Sequence, residues 1–197
     1  MRIAVRIVAL LVPMVAAGCF PMVNPGYISM QPRQGGKVDF QAHVGSGYPY
    51  LGWGSVHVEP YATSKVSIPI GVTASYPGAG AGRVGVRYRA TRILSVGGGA
   101  GISVLGLAVN DDFASIAYGL VDFELGLGNR WGKFGLSFAF RPTYLIPSPL
   151  VYLPVELGFA FYVSKSWALT VLINGGLVVG SVVWGGGGGA LGVIGHL

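Results

Sequence analysis

From Lys65 to Tyr76 the even positions are Val66, Ile68, Ile70, Val72, Ala74 and Tyr76, while Lys65, Ser67, Gly71, Thr73 and Ser75 take the odd ones. A period of two sends successive side chains to opposite faces of an extended strand. The alternation recurs at Val38, Phe40, Ala42 and Val44 against Asp39, Gln41 and His43, and at Val84, Val86 and Tyr88 against Arg87 and Arg89. Further on, Phe134, Leu136, Phe138 and Phe140 alternate with Lys133, Ser137 and Arg141, and the odd positions from Val151 to Phe161 alternate with Tyr152, Glu156 and Tyr162. Each run covers about ten residues, the length that a tilted strand needs to cross a bilayer.

The phase of the charges separates two kinds of sheet. A soluble sandwich turns its charges to water and its apolar side to a core. Here Asp39, Lys65, Arg87, Arg89, Asp122, Glu124, Lys133, Arg141 and Glu156 share the phase of Gly, Ser and Thr, which leaves the other face to Val, Ile, Leu and Phe. A lipid face and a charged lumen explain that division. The predicted fold is therefore all-β, an antiparallel up-and-down transmembrane β-barrel of about eight to twelve strands, with hairpin counting favouring ten and an even number expected. Closure removes the sheet edges on which such apolar strands would aggregate.

Short polar turns are expected at Asn129-Arg130-Trp131-Gly132 and Ser164-Lys165-Ser166. Longer links are expected at Ser46 to Trp53, Tyr76 to Gly82, Val109 to Phe113 and Pro142 to Pro149, and these are placed outside the cell. The run Gly185 to Gly189 reads as strand, turn or tail. Two other architectures compete. Ser166 to Gly195 carries no charge, and Ile93 to Asn110 is a second uncharged stretch with Gly97 and Gly101 in GxxxG spacing, as in packed membrane helices. Against helices, each interior glycine costs about 1 kcal/mol relative to Ala. A soluble β-domain is the third reading.

Composition supports the membrane reading. Charged residues make up 10% of the 197, hydrophobic residues 52%, and there are 34 glycines. Soluble domains carry about 25% charge. The net charge of +6 falls to +4 if Arg2 and Arg6 are removed with a leader. Those arginines precede an apolar stretch, Ile7 to Val15, too short to span a bilayer, and then the small residues Ala16, Ala17 and Gly18. The tetrad Ala16-Ala17-Gly18-Cys19 resembles the lipobox of bacterial lipoproteins. That resemblance implies cleavage before Cys19, acylation of Cys19, and a membrane anchor there. Phe20 stands where many inner-membrane lipoproteins have aspartate, so the resemblance points to the outer membrane. Residues 1–18 are then a cleaved signal peptide, 19–36 a lipidated flexible tether rich in Pro and Gly, and 37–197 the barrel. With Cys19 the only cysteine, no disulfide framework is available.

The mature chain resembles small outer-membrane barrels of the porin-like, OmpA-like or OmpX-like kind. That resemblance implies a structural or interaction role in the cell envelope, or alternatively a narrow, anion-selective channel or a lipid- or small-solute-binding barrel. The expected partners are membrane lipid and an envelope protein or a second copy of the chain, without nucleic acid. The lumen network is expected to comprise Glu59, Arg87, Arg89, Asp122, Glu124, Lys133, Arg141 and Glu156, with Asp122 and Arg141 near diagonal reach. Clustered Arg87 and Arg89 suit an anion. No catalytic residue, metal site or cofactor is assigned. His57 and Glu59 share a strand face but lack a visible third ligand. Some small barrels resemble serine hydrolases in deacylating lipid A, which puts His43, Ser46 and Glu59 up for inspection, although their spacing does not match. Gly78 to Arg83 and Gly97 to Gly101 lack the context of phosphate loops, and Asp111-Asp112 reads as a solvated turn rather than a Ca²⁺ site.

Overall fold

Alternating β-branched and small residues favour extended backbone, and the sheet they form closes on itself. The structure, a computed structural model, describes residues 37–197 except 49, 77, 110, 111, 149, 181 and 182, and omits the side chains of 48, 50, 106–109, 112–115, 183 and 184. Cys19, the leader and the tether lie outside the described residues. Ten strands follow one another around a barrel: β1 (Val38–Tyr48), β2 (Tyr50–Pro60), β3 (Val66–Ser67 and Ile70–Tyr76), β4 (Ala79–Arg89) and β5 (Leu94–Val109). They continue as β6 (Asp112–Trp131), β7 (Phe134–Phe140 and Thr143–Ile146), β8 (Val151–Tyr162), β9 (Trp167–Val179) and β10 (Val183–His196). Pro69 and Pro142, which lack an N–H for the ladder, sit at the two breaks in β3 and β7.

Every neighbouring pair is antiparallel, and β1 closes the circle on β10 from Asp39↔His196 to Tyr48↔Gly187. One register row can be followed all the way round. It runs Phe40, Val58, Ile70, Val84, Ala100, Val121, Tyr144, Val151, Val179 and Val183. Phe40 also pairs with Gly195, twelve residues along β10 from Val183. Such a stagger tilts the strands by about 35–45°, and with only ten strands the barrel stays narrow.

The four turns at 61–65, 90–93, 132–133 and 163–166 lie at the same end as Lys37 and Leu197, here called the turn end. The other end, the link end, carries the connections after β1, β3, β5, β7 and β9. These are shorter than the sequence suggested. β1 runs to Tyr48 and β2 begins at Tyr50, β4 begins at Ala79, and β6 begins at Asp112, because Gly and Ser alternate there as readily as Val does and the ladder simply continues. The glycine run Gly185 to Gly189 is strand, not turn or tail, paired on both sides by β9 and β1. The stretches weighed as membrane helices are β5 and the pair β9 and β10, and among the described residues no helix is long and apolar enough to cross a membrane. β5 and β6 rise beyond their neighbours, since β4 pairs β5 only as far as Leu105 and β7 pairs β6 only as far as Gly119.

The outer surface is apolar all round, with exposed Val72, Val84, Ile102, Val121, Phe159 and Leu169 on six different strands. Aromatic side chains gather near the turn end at Tyr88, Trp131, Phe134, Phe161 and Trp167. Aromatic girdles of this kind mark the level of a membrane interface.

Candidate functional site: the charged lumen

Strand alternation brings six of the eight predicted network residues together inside the barrel. Arg87 of β4 grips Glu124 of β6 bidentately, Nε to Oε1 at 2.5 Å and Nη2 to Oε2 at 3.2 Å, and its Nη1 meets Glu59 Oε2 of β2 at 2.5 Å. Arg141 of β7 donates to Glu124 Oε2 from Nε at 3.0 Å and lies 3.2 Å from Glu156 Oε1 of β8 through Nη1. The Ser67 hydroxyl donates to Glu59 at 2.5 Å. Glu124 is 1% exposed and thus collects two arginines directly. Buried charge is tolerated only with such pairing and hydrogen bonding.

Asp122 has a different partner from the one expected. Arg83, which by sequence falls at the end of a glycine-rich link, stands on β4 and holds Asp122 at 2.5 Å through Nε and 2.6 Å through Nη2. It stands in the inward phase of β4, where Ala79, Ala81, Arg83, Gly85 and Arg87 all face inward. Arg141, the expected partner of Asp122, takes Glu124 and Glu156 instead. Lys133 is a correction as well. It is exposed in the turn between β6 and β7, outside the network, because the chain reverses at Gly132 with a φ of 59° and breaks the phase there. Lys65 likewise is exposed in the turn after β2 rather than inside. Arg89 is half-buried and lines a recess at the turn end with Glu59, Ser67, Arg87, Ser95 and Lys65.

The glycines of β5 make room for the arginines. A Cβ on Gly99 would stand 2.9 Å from the Arg83 guanidinium carbon, and one on Gly97 would press on the Arg87 backbone at 3.2 Å. The run Gly97 to Gly101 thus lets the Arg83 guanidinium lie on β5 at Gly99 and the β4 backbone approach closely at Gly97 and Gly101, which neither a phosphate loop nor a helix zipper describes.

Below this network, at the turn end, Asp39 accepts from the Tyr61 hydroxyl at 3.0 Å and lies 2.8 Å from His196 Nδ1. The His196 ring stacks on Tyr162 at 5.9 Å, and the Arg130 guanidinium covers the Tyr162 ring at 3.7 Å. Above the network, at the link end, Trp53, Ala79, Ala81, Leu105, Leu120 and Leu145 pack into an apolar layer. Ionic and apolar layers thus succeed one another along the inside of the barrel.

The residues inspected for hydrolysis do not assemble. His43 points inward on β1, Ser46 is exposed on the outer face, and Glu59 is engaged by Ser67 and Arg87. His57 and Glu59 do share the inner face of β2, and His57 meets the His43 ring edge-on at 6.3 Å. Among the described residues no group of three or more His, Cys, Asp or Glu is arranged to hold a metal. Asp111 and the Asp112 side chain lie outside the described residues. His43 is buried with neither ring nitrogen hydrogen-bonded among the described residues. A buried unsatisfied polar group costs about 1–3 kcal/mol. His43→Leu is therefore expected to raise the stability of the folded barrel in urea by on the order of 1 kcal/mol, and a lowered midpoint would contradict it.

A closed antiparallel barrel with an apolar outside, an aromatic band and charges turned inward defines the class: a β-barrel of the outer-membrane type. The N-terminal β-barrel domain of Pseudomonas aeruginosa OprF shares this fold, with a TM-score of 0.50 and 9% sequence identity over 84% of this chain and 100% of that one. Also similar are the outer-membrane protease OmpT from Escherichia coli, with a TM-score of 0.42, 11% identity and coverage of 82% and 94%, and an anion-selective porin from Comamonas acidovorans, with 0.41, 13%, 84% and 57%. No protein-family model and no curated protein sequence matches the chain.

Proposed function

We propose that the protein is an outer-membrane lipoprotein, acylated at Cys19, whose barrel serves a structural or interaction role in the cell envelope rather than passing solutes. The observation that carries this reading is the charge cluster inside the barrel, in which Arg83, Arg87 and Arg141 are paired with Glu59, Asp122, Glu124 and Glu156 beneath an apolar layer. Barrels leave open aqueous channels at about sixteen strands, well above ten. Membrane lipid is one partner, and an envelope protein or a second copy of the chain is the other. Nucleic acid has no place in it.

The full chain, purified folded and tested in planar bilayers, is expected to give no single-channel steps. Discrete steps would overturn the reading. In cells, deletion is expected to weaken envelope integrity while leaving solute uptake unchanged, and the mass of the membrane-extracted protein is expected to include acyl chains lost in Cys19→Ser. A second reading, a narrow anion-selective barrel, draws on the recess where Lys65, Arg87 and Arg89 gather. In that case Lys65→Ala with Arg89→Ala changes ion selectivity, and unchanged selectivity rules it out.

A further inference from the structure

The charged side chains outside the lumen network are distributed unequally between the two ends. Each of the four turns at the turn end carries one exposed cation: Lys65, Arg92, Lys133 and Lys165. Lys37, exposed at the start of β1, supplies a fifth beside the closing seam between β1 and β10. The acidic residues on this side, Asp39 and Glu59, are both buried and paired with groups inside the barrel. At the link end the connections hold no Lys or Arg in their sequence. The result is a basic ring around one rim of a barrel whose other rim has no basic residue in its links.

The ring stands just beyond the aromatic band of Tyr88, Trp131, Phe134, Phe161 and Trp167. Trp131 and Lys133 are two residues apart across one turn, and Lys165 and Trp167 across another. Aromatic rings at the boundary of the apolar surface settle at headgroup depth, and flexible Lys and Arg stems from adjacent turns reach the same level. Phosphate is the group that such cations meet there.

We propose that Lys37, Lys65, Arg92, Lys133 and Lys165 form a ring that binds the phosphate headgroups of anionic phospholipids in the leaflet on the turn-end side. This rests on the reading of the chain as a membrane-spanning barrel and is independent of Cys19. The ring fixes which way up the barrel is stable, since inverting it would present links without a Lys or Arg to that leaflet. A cation near an anionic surface contributes roughly a fivefold preference, so four or five acting together select lipid class even when each is weak. The attraction is screened within about 10 Å at 0.1 M salt.

The experiment reconstitutes the full chain in nanodiscs of equimolar phosphatidylcholine and phosphatidylglycerol, releases it into detergent and counts retained lipids by native mass spectrometry. Retention of phosphatidylglycerol is expected to exceed that of phosphatidylcholine several-fold, to fall most of the way to parity in K65Q/R92Q/K133Q/K165Q, and to reach parity in high salt. Equal retention by the unaltered protein overturns the proposal, as does a phosphatidylglycerol excess undiminished by the four substitutions. Heat-dependent gel migration reports folding separately. Loss of the heat-modifiable species in the unaltered protein would count against the membrane-barrel reading itself. The single variants Lys65→Gln and Lys165→Gln, each expected to lower the excess partially, keep the proposal falsifiable if the fourfold variant does not fold.

Discussion

Glu124→Ala is expected to cost about 3–5 kcal/mol of barrel stability, the range for removing one member of a buried, hydrogen-bonded charge cluster. Glu124 lies within 2.9 Å of Arg141 and 2.5 Å of Arg87, with Arg83 at 3.9 Å. Without it, two arginines keep their positive charge in a lumen where, among the described residues, no other carboxylate bridges both, and Glu59, Asp122 and Glu156 sit toward the edges of the cluster. Urea unfolding of the protein folded in lipid vesicles would measure the loss. Glu124→Gln keeps the shape and an acceptor oxygen but not the charge, so its stability should fall between those of Glu124→Ala and the unaltered protein. Unchanged midpoints for both substitutions would mean that the network contributes nothing to stability.

The second large effect is expected at the seam. Gly47 of β1 and Gly188 of β10 lie opposite one another. A Cβ on Gly188 would run into the Ser46 carbonyl oxygen and would lie 2.7 Å from the Gly47 Cα, and one on Gly47 would strike the Gly188 backbone. Backbone cannot rotate away as a side chain can. Gly188→Ala is thus expected to force β1 and β10 apart and to abolish the compact, heat-modifiable species on gels. Gly82→Ala makes a matched control, because the nearest atom to its Cβ is a Val72 methyl at 4.0 Å. A Gly188→Ala protein that migrates like the unaltered chain would show that the seam has slack.

The barrel was legible in the sequence because its signal is repeated. Five runs carry the same two-residue period, and five weak signals in one phase outweigh the ambiguity of any one of them. Glu59, Arg87, Asp122, Glu124, Arg141 and Glu156 were found because membrane strands have only one side on which charge is tolerable. What escaped was governed by the places where the period stops. Lys65 and Lys133 follow the strand phase by number but stand in turns, and a turn of a few residues resets direction without a composition change. Arg83 was hidden for the opposite reason, since Gly78 to Gly82 looks like a loop although glycine and alanine pair as well as valine once neighbours hold them. Partner choice was beyond reach, because it depends on stagger. A row displaced by twelve residues per circuit decides whether Asp122 meets Arg83 or Arg141, and no local pattern encodes that number.

Closing β1 on β10 joins residues as distant as Asp39 and His196, 157 positions apart. Hairpins between sequence neighbours form sooner than contacts that close so long a loop. The nascent sheet therefore presents β1 and β10 as free edges until the final ladder zips. A strand with five consecutive glycines offers a growing aggregate almost no side chains to interdigitate with and has low intrinsic β-propensity. The sequence of β10 is then a form of self-restraint during assembly: it adheres poorly to strangers and fits closely between β9 and β1, whose own Gly45 and Gly47 leave it the room.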